Sequence, residues 1–340
     1  MAKNKFKVIS LGRFGGGATG PEEKEFARAG LDVEFVVARY NSEDEFIAGA
    51  KDADAVMGAG RYITRRAMAA LPKLQIIQTY SVGFDTIDLD AATENRIVVA
   101  NNPAIAWCVE EVSNHALTLL LACAKKLTQL NDLVKQGKWV DTRSILRPMQ
   151  PVHGQTLGII GCGNIGRMVA RKAAAFGLTI LGYDPYVKKT LARESGIKLV
   201  ELPVLLRESD FISIHTPLNN ETRHMINAGI FHQMKPSAYL INTARGPCVD
   251  EPALIKALQD KMLAGAGLDV FEREPMDPAN PLLKMDNVIV LPHSASQSEA
   301  AVEVNPVNPS QEVARVLSGR WPNNVVNPGV KPKMKLTKSS

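Results

Sequence analysis

Short apolar runs alternate with stretches of helical spacing along most of the chain. Lys7–Leu11, Val33–Val37, Ala55–Met57, Leu74–Thr79 and Ile97–Ala100 are too short for helices and end at turn-forming residues, which predicts strands. Between them, Pro21–Ala29, Ser42–Ala50 and Thr64–Leu71 carry helix signals. Pro21 suits a first helical position after Gly20. Ser42 with Glu45 three residues on spells a capping box, and Pro72 stops the third helix. Beyond Asn101-Asn102-Pro103, a stretch from about Val109 to Val134 reads as one long helix. Its centre, Ala116 to Ala124, is apolar nearly all round, which calls for burial on more than one side. From about Thr156 the alternation resumes, with strands expected at Leu157–Ile160, Leu178–Tyr183, Asp210–Ile214, Ala238–Ile241, Ala264–Leu268 and Val288–Leu291. A last helix is expected to open at Asn308 as cap with Pro309 first, and to end before Gly319.

One turn in this series is specific. The run Leu157–Ile160 leads into Gly161-Cys162-Gly163-Asn164-Ile165-Gly166, a helical pattern follows to about Phe176, and the next strand ends at Asp184. That is the dinucleotide fingerprint in its full strand–turn–helix–strand–acid context. Gly161 permits the tight turn, Gly163 lets backbone approach a pyrophosphate, and Gly166 lets helix press on strand. The helix amino terminus offers unpaired N–H groups to the phosphates. Asp184 can accept hydrogen bonds from a ribose diol and would repel a 2′-phosphate, so NAD is the expected cofactor. Strands alternating with helices imply parallel sheets covered on both faces. The expected fold class is therefore α/β with two doubly wound parallel-sheet domains. A Rossmann NAD-binding domain (103–299) is inserted into a discontinuous flavodoxin-like substrate domain (1–102 plus 300–330). Residues 331–340 are predicted to be a disordered basic tail.

Composition narrows the class. The 340 residues are 45% hydrophobic and 22% charged, as in ordinary globular proteins. The net charge of +5 is modest and lies largely in the last ten residues, so no nucleic-acid partner is expected. No run approaches the ~20 apolar residues of a membrane span, and the first residues lack a signal-peptide core, so no membrane association is expected. Cys108, Cys123, Cys162 and Cys248 are far apart and form no C-x-x-C, which speaks for a reducing cytoplasm and for no metal site. Gly15-Gly16-Gly17 does not match the fingerprint and reads as a loop.

In a doubly wound sheet, ligands sit beyond the carboxyl ends of the strands. There the sequence places His215, Thr216 and Pro217, then Arg245, then Asp269 and Glu274, then His293. Taken singly, each has a blander reading as a structural hydrogen-bonder or a solvated charge. Together they put a guanidinium, a carboxylate and an imidazole where a nicotinamide would lie. Hydride transfer to a carbonyl puts negative charge on its oxygen, and histidine suits the accompanying proton transfer near neutral pH. Glu274 against the other ring nitrogen would fix the tautomer, and Arg245 can grip a carboxylate in a bidentate fork.

These residues carry a resemblance. Gly161–Gly166, the run His215–Thr222, Asn242-Thr-Ala-Arg-Gly246, the run Leu268–Pro275, Pro292-His293, and Ser81–Asp88 in the first domain are similar to the D-isomer-specific 2-hydroxyacid dehydrogenase family. Val109-Glu-Glu111, Tyr183-Asp-Pro-Tyr186 and Asn324–Pro328 resemble its C-terminal-binding-protein-like branch, although Ser296 stands where those proteins carry Trp. The resemblance implies NAD-dependent interconversion of a 2-oxo acid and a D-2-hydroxy acid. It implies Arg245 for substrate binding, Glu274 for orienting the histidine, and His293 as acid/base. Backbone N–H groups at Val82 and Gly83 would hold the substrate carboxylate. Cofactor contacts would come from the fingerprint, including Asn164 and Ile165, from His215, Thr216, Pro217 and Thr222, and from Thr243, Ala244, Asp269 and Ala295. It also implies a homodimer built through the nucleotide domains. The alternative it leaves is an NAD(H)-sensing, peptide-binding co-regulator with weak dehydrogenase activity.

Overall fold

The computed structural model describes residues 5–12, 20–58, 60, 62–102 and 106–337, so the triple glycine lies outside the described residues. The chain divides into two compact units, Met1–Ile105 with Gln297–Ser340, and Ala106–Ser296.

The first unit holds five parallel strands, β1 (Phe6–Ser10), β2 (Val33–Val37), β3 (Ala55–Met57), β4 (Ile76–Gln78) and β5 (Val98–Ala100), in the order β2-β1-β3-β4-β5. This is the flavodoxin-like order. Successive side chains of a strand point to opposite faces. Accordingly Ile9, Val56, Ile77 and Val99 join Phe46, Met68 and Ala91 from the helices of one face. Val8, Ala55, Ile76 and Val98 join Phe26, Val313, Val316 and Leu317 on the other. The helix Val307–Leu317 therefore completes the core begun by the first hundred residues. Ser42 caps the helix Glu43–Ala50 by accepting the Glu45 N–H at 3.1 Å. The reciprocal arm of the expected capping box lands one residue early, on the Asn41 N–H.

Two expectations in this unit are corrected. The last helix starts at Val307 with no side-chain cap, behind a separate helix Glu299–Val304. Asn308 instead donates its side-chain amide to Asn102 Oδ1 (2.9 Å), and Asn102 donates to Asn305 Oδ1 (2.8 Å). The basic tail is not loose as far as Thr337. Trp321 N–H donates to Thr337 C=O, and Lys333 Nζ donates to the Leu74 carbonyl at 2.9 Å and the Leu71 carbonyl at 3.3 Å. Its cation thus satisfies carbonyls left over at the end of the helix Arg65–Ala70.

The second unit holds seven parallel strands: β6 (Thr156–Ile160), β7 (Thr179–Tyr183), β8 (Lys198–Leu199), β9 (Phe211–Ile214), β10 (Tyr239–Asn242), β11 (Gly265–Leu268) and β12 (Val288–Val290). Their order, β12-β11-β10-β9-β6-β7-β8, is the Rossmann arrangement with its switch point between β6 and β9. The helices Ala106–Ala124 and Asn164–Ala174 pack on one face over Leu157, Ile159, Phe211 and Ile241. Leu202–Glu208 and Glu251–Gln259 cover Ile160, Ile212, Leu240 and Leu268 on the other. The long helix expected to run to Val134 is broken. It ends at Ala124, Lys126 takes a left-handed φ of 49° and donates to the Ile145 carbonyl, and a second helix runs Leu127–Lys135.

The edge strand β5 is sealed by Asn327, whose side chain accepts the Val99 N–H at 2.8 Å and donates to the Ile97 carbonyl at 3.0 Å and to Thr93. Asn327→Ala leaves a buried N–H and a buried carbonyl without partners. The expected loss is about 2–3 kcal/mol of unfolding free energy, read as a lower denaturant midpoint at unchanged slope.

Candidate active site

At the end of β6 the chain turns at Gly161, whose φ is +92°. A Cβ there would lie 2.7 Å from the His215 carbonyl carbon and 2.8 Å from the Thr216 nitrogen, so this turn and the segment leaving β9 touch backbone to backbone. At Gly166 a Cβ would press on the Gly161 carbonyl oxygen, so the helix Asn164–Ala174 sits directly on the turn. Gly163 is different. Among the described residues, apart from its chain neighbours, nothing lies within 4 Å of the place where its Cβ would be, and it is exposed. No side chain caps this helix, which leaves its first N–H groups open to an anion.

The sequence did not single out Arg167. Its guanidinium folds back over the turn, donating to the Cys162 carbonyl at 3.1 Å and to Asn164 Oδ1 at 2.9 Å, so it adds a cation beside those N–H groups. Ile165 is half-buried against the core of its sheet face. Burial pushes the Cys162 thiol up to about 12, with the Asp184 charge adding to it, so the thiol is inert near neutral pH. Asp184, half-buried at the end of β7, accepts the N–H groups of Cys162 (2.8 Å), Tyr186 (2.8 Å) and Val187 (3.0 Å). It ties two loops together and keeps lone pairs for a diol.

The segment after β9 divides into two kinds of residue. Thr222 closes its own loop, donating to the Pro217 carbonyl at 2.6 Å and accepting the Asn219 N–H at 2.8 Å, so its hydroxyl is spent within the protein. Pro217 is exposed, and Thr216 has, among the described residues, weak sulfur partners in Met225 and Cys248. His215 shares a 2.8 Å hydrogen bond with Ser213 Oγ, and burial pushes its imidazole down to about 4. Its Nδ1 and the hydroxyl of buried Thr243 have no hydrogen-bond partner among the described residues.

The three chemical groups come together at the ends of β10 to β12. Asn242, buried at the end of β10, accepts the Ala244 N–H and donates to the Arg245 carbonyl, both at 3.0 Å, and so shapes the turn that presents Arg245. Arg245 donates to the Ala244 carbonyl at 2.7 Å. At Gly246 a Cβ would fall 1.9 Å from the Phe271 carbonyl, so the arginine turn lies flat against the chain leading to Glu274. Neither Asn242 nor Gly246 was singled out in the sequence. Their signal was their place beside Arg245.

Glu274 accepts the Phe271 N–H at 3.0 Å, and its other oxygen lies 2.7 Å from His293 Nδ1. Burial works to raise the Glu274 pKa. The His293 hydrogen bond and charge, the Phe271 N–H and the Arg245 charge outweigh it and hold the carboxyl below its ordinary 4.5. His293 takes a left-handed φ of 56°, a conformation that costs energy for a residue with a Cβ.

Asp269 accounts for that conformation. It was expected to reach the cofactor, yet its side chain has no exposed surface. Its carbonyl accepts the His293 N–H at 2.8 Å, and its carboxylate accepts those of Ser294 (2.9 Å) and Ala295 (2.8 Å). Burial opposes the charge, but the bonds from His115, Ser294 and Ala295 prevail and the Asp269 pKa lies below its ordinary 3.8. Ala295 is buried with its N–H committed to this clamp.

Val82 and Gly83 belong to the other unit, on the loop after β4. There the carbonyls of Ser81, Val82 and Gly83 accept hydrogen bonds from Thr79, Asn101 and Ser81 respectively.

Residues 117–295 match the family described as D-isomer specific 2-hydroxyacid dehydrogenase, NAD binding domain. The chain belongs to this family. The dehydrogenase is 41% identical over 288 residues to a glyoxylate reductase of Korarchaeum cryptofilum, covering 84% of this chain and 86% of that one. It is 39% identical to a D-3-phosphoglycerate dehydrogenase of Methanocaldococcus jannaschii over 90% of this chain but 57% of that protein. A crystal structure of D-lactate dehydrogenase from Aquifex aeolicus, complexed with NAD and lactic acid, superposes with a TM-score of 0.79 at 31% identity, covering 94% of this chain and 99% of that one. These relatives are enzymes, and they do not show the expected affinity to the C-terminal-binding proteins.

The residues present in the dehydrogenase fit a bound nicotinamide dinucleotide. The open approach at Gly163 suits a pyrophosphate, and the unsatisfied His215 Nδ1 and Thr243 Oγ1 await a polar partner along the same sheet edge.

His215, whose Nδ1 is buried, makes a linkage prediction. The unfolded chain protonates this group from about the ordinary 6.5, and the folded enzyme resists until about 4. Between those values the unfolded state binds the extra proton, so stability falls as pH falls, by up to roughly tenfold in the folding constant per pH unit. His215→Gln should flatten that slope, measured as urea midpoints between pH 6.5 and 4.

Proposed function

We propose that this dehydrogenase reduces a small 2-oxo acid of glyoxylate size to its 2-hydroxy acid, the D-isomer where C2 is a stereocentre, with NADH as the preferred donor. The 2.7 Å contact between His293 and Glu274, next to Arg245, carries the reading. The bound dinucleotide supplies the hydride. Arg245 grips the substrate carboxylate and polarises the carbonyl, since its guanidinium is a permanent fork of donors. His293 delivers the proton to the carbonyl oxygen from the ring nitrogen that does not face Glu274. Glu274 fixes which nitrogen that is, and its charge favours the imidazolium that must give the proton up. Val82 and Gly83 are read as carboxylate-binding N–H donors, supported by the way their carbonyls are drawn back into their own unit. Asp184 supports NAD over NADP, because its carboxylate would face a 2′-phosphate. The similarity to a glyoxylate reductase supports the substrate size. Four cysteines outside any disulfide, three of them buried, support a reducing cytoplasm.

His293→Ala should lower kcat for glyoxylate reduction by about 10²–10⁴, the usual span for a positioned acid. Glu274→Gln should lower it less, because the glutamine oxygen can still accept from the His293 ring while the charge beside it is lost. A His293→Ala enzyme with wild-type NADH oxidation would overturn the assignment.

We infer that two copies pair through the helix Leu127–Lys135 and the loop after it. Leu127, Val134, Val140 and Leu146 are exposed there, and Trp139 is 73% exposed, an apolar patch that water does not favour. Trp139→Glu should convert a dimer to a monomer in sedimentation velocity, whereas a wild-type protein already monomeric at micromolar concentration would refute the pairing.

A further inference from the structure

The left-handed turn at His293 hangs on one buried carboxylate, and a second histidine stands behind that carboxylate. His115 projects from the helix Ala106–Ala124, and its Nε2 lies 3.4 Å from Asp269 Oδ1. At that distance the contact is longer than an ordinary hydrogen bond, and Nε2 has no other partner among the described residues. Asp269 has no exposed surface. Its oxygens therefore rely on protein donors alone, namely the Ser294 and Ala295 N–H groups, the more distant Ser294 hydroxyl at 3.4 Å, and His115. A buried carboxylate short of donors gives up its charge or its geometry. Either change would loosen the two N–H bonds that hold the residues just after His293.

We infer that His115 is a positioning residue for the reaction: through Asp269 it holds the 293–295 turn in the left-handed form that points the His293 ring along Glu274. The inference rests on the reading of His293 as the acid. His115 touches neither His293 nor Glu274 in any contact described above, so its influence has to pass through Asp269. The helix that carries it is one of the two packed over the core of that sheet face, with Leu119 and Cys123 seated against Gly267 of β11. The relay therefore links a rigid helix to the end of the neighbouring strand.

The test is a double-mutant cycle with His115→Leu and Asp269→Asn, following glyoxylate reduction and, in the cofactor-free protein, hydrogen–deuterium exchange of the segment 290–297. His115→Leu should lower kcat about tenfold and Asp269→Asn about a hundredfold, with the KM for NADH within about twofold for His115→Leu. The double variant should be no slower than Asp269→Asn, because residues acting through one contact do not add. The Ser294 and Ala295 amides should exchange faster in each single variant. His115→Gln keeps an N–H donor of similar reach and should restore kcat to within about threefold of wild type. If leucine prevents folding, His115→Asn, too short to reach, replaces it with the same losses expected. The inference is overturned if His115→Leu keeps kcat within twofold with unchanged exchange, or if the double variant shows the product of the two single losses. The exchange arm reads the turn even if His293 is not the acid, so the two failures are distinguishable.

Discussion

The carboxyl edge of the seven-stranded sheet is assembled by backbone pressed on backbone. At Gly161 the turn after β6 meets the chain leaving β9, and at Gly246 the turn after β10 meets the chain leaving β11. Neither contact has room for a Cβ. Because the loops touch at their main chains, the side chains they carry are placed by peptide geometry rather than by their own flexible stems. Arg245 and Glu274 are fixed relative to each other in this way, and His293 is added by the hydrogen bond that Glu274 accepts from its ring and by the Asp269 clamp. The chemistry of a charged pair thus depends on two residues that have no side chain at all.

Much of this was legible in the sequence because it depends on local pattern. The glycine turn, the parallel alternation and the polar residues at strand ends all sit within a few positions of the apolar runs that define the sheet. The features that were not legible have a common physical origin. Asp269 stands at a strand end like its neighbours, and nothing local says that its carboxylate turns inward to bind the backbone 25 and 26 residues on. Thr222 lies in a loop whose closure consumes its hydroxyl. The helix break near Lys126 is invisible in periodicity, since the apolar pattern runs through it and only the lysine's reach to the Ile145 carbonyl reveals the turn. The tail read as loose because its charges suggested solvation, while Lys333 spends its charge on carbonyls of another segment. Apart from the local Thr222 loop, each of these is a long-range hydrogen bond by a polar side chain, which carries no periodic signature.

The left-handed backbone at His293 also separates two demands that a sequence mixes. The ring is partly exposed and meets Glu274, while its own N–H is satisfied inside. A residue in the left-handed region lets the chain reverse over a short span, and the Asp269 main chain and side chain take up the three N–H groups from 293 to 295. A polar network buried this completely rigidifies what it touches.

The first unit is split by the second. Its five strands come from the opening hundred residues, but one face of that sheet is covered by Val313, Val316 and Leu317, and the β5 edge is sealed by Asn327. During synthesis the ribosome emits the second unit whole before these covering residues exist. The order of maturation is therefore the reverse of the order of translation. The opening strands wait, with an apolar face bare, for about two hundred residues of elongation, or on the order of ten to forty seconds at typical rates. That interval, rather than the stability of the finished enzyme, is when this chain is most exposed to aggregation and most in need of a chaperone.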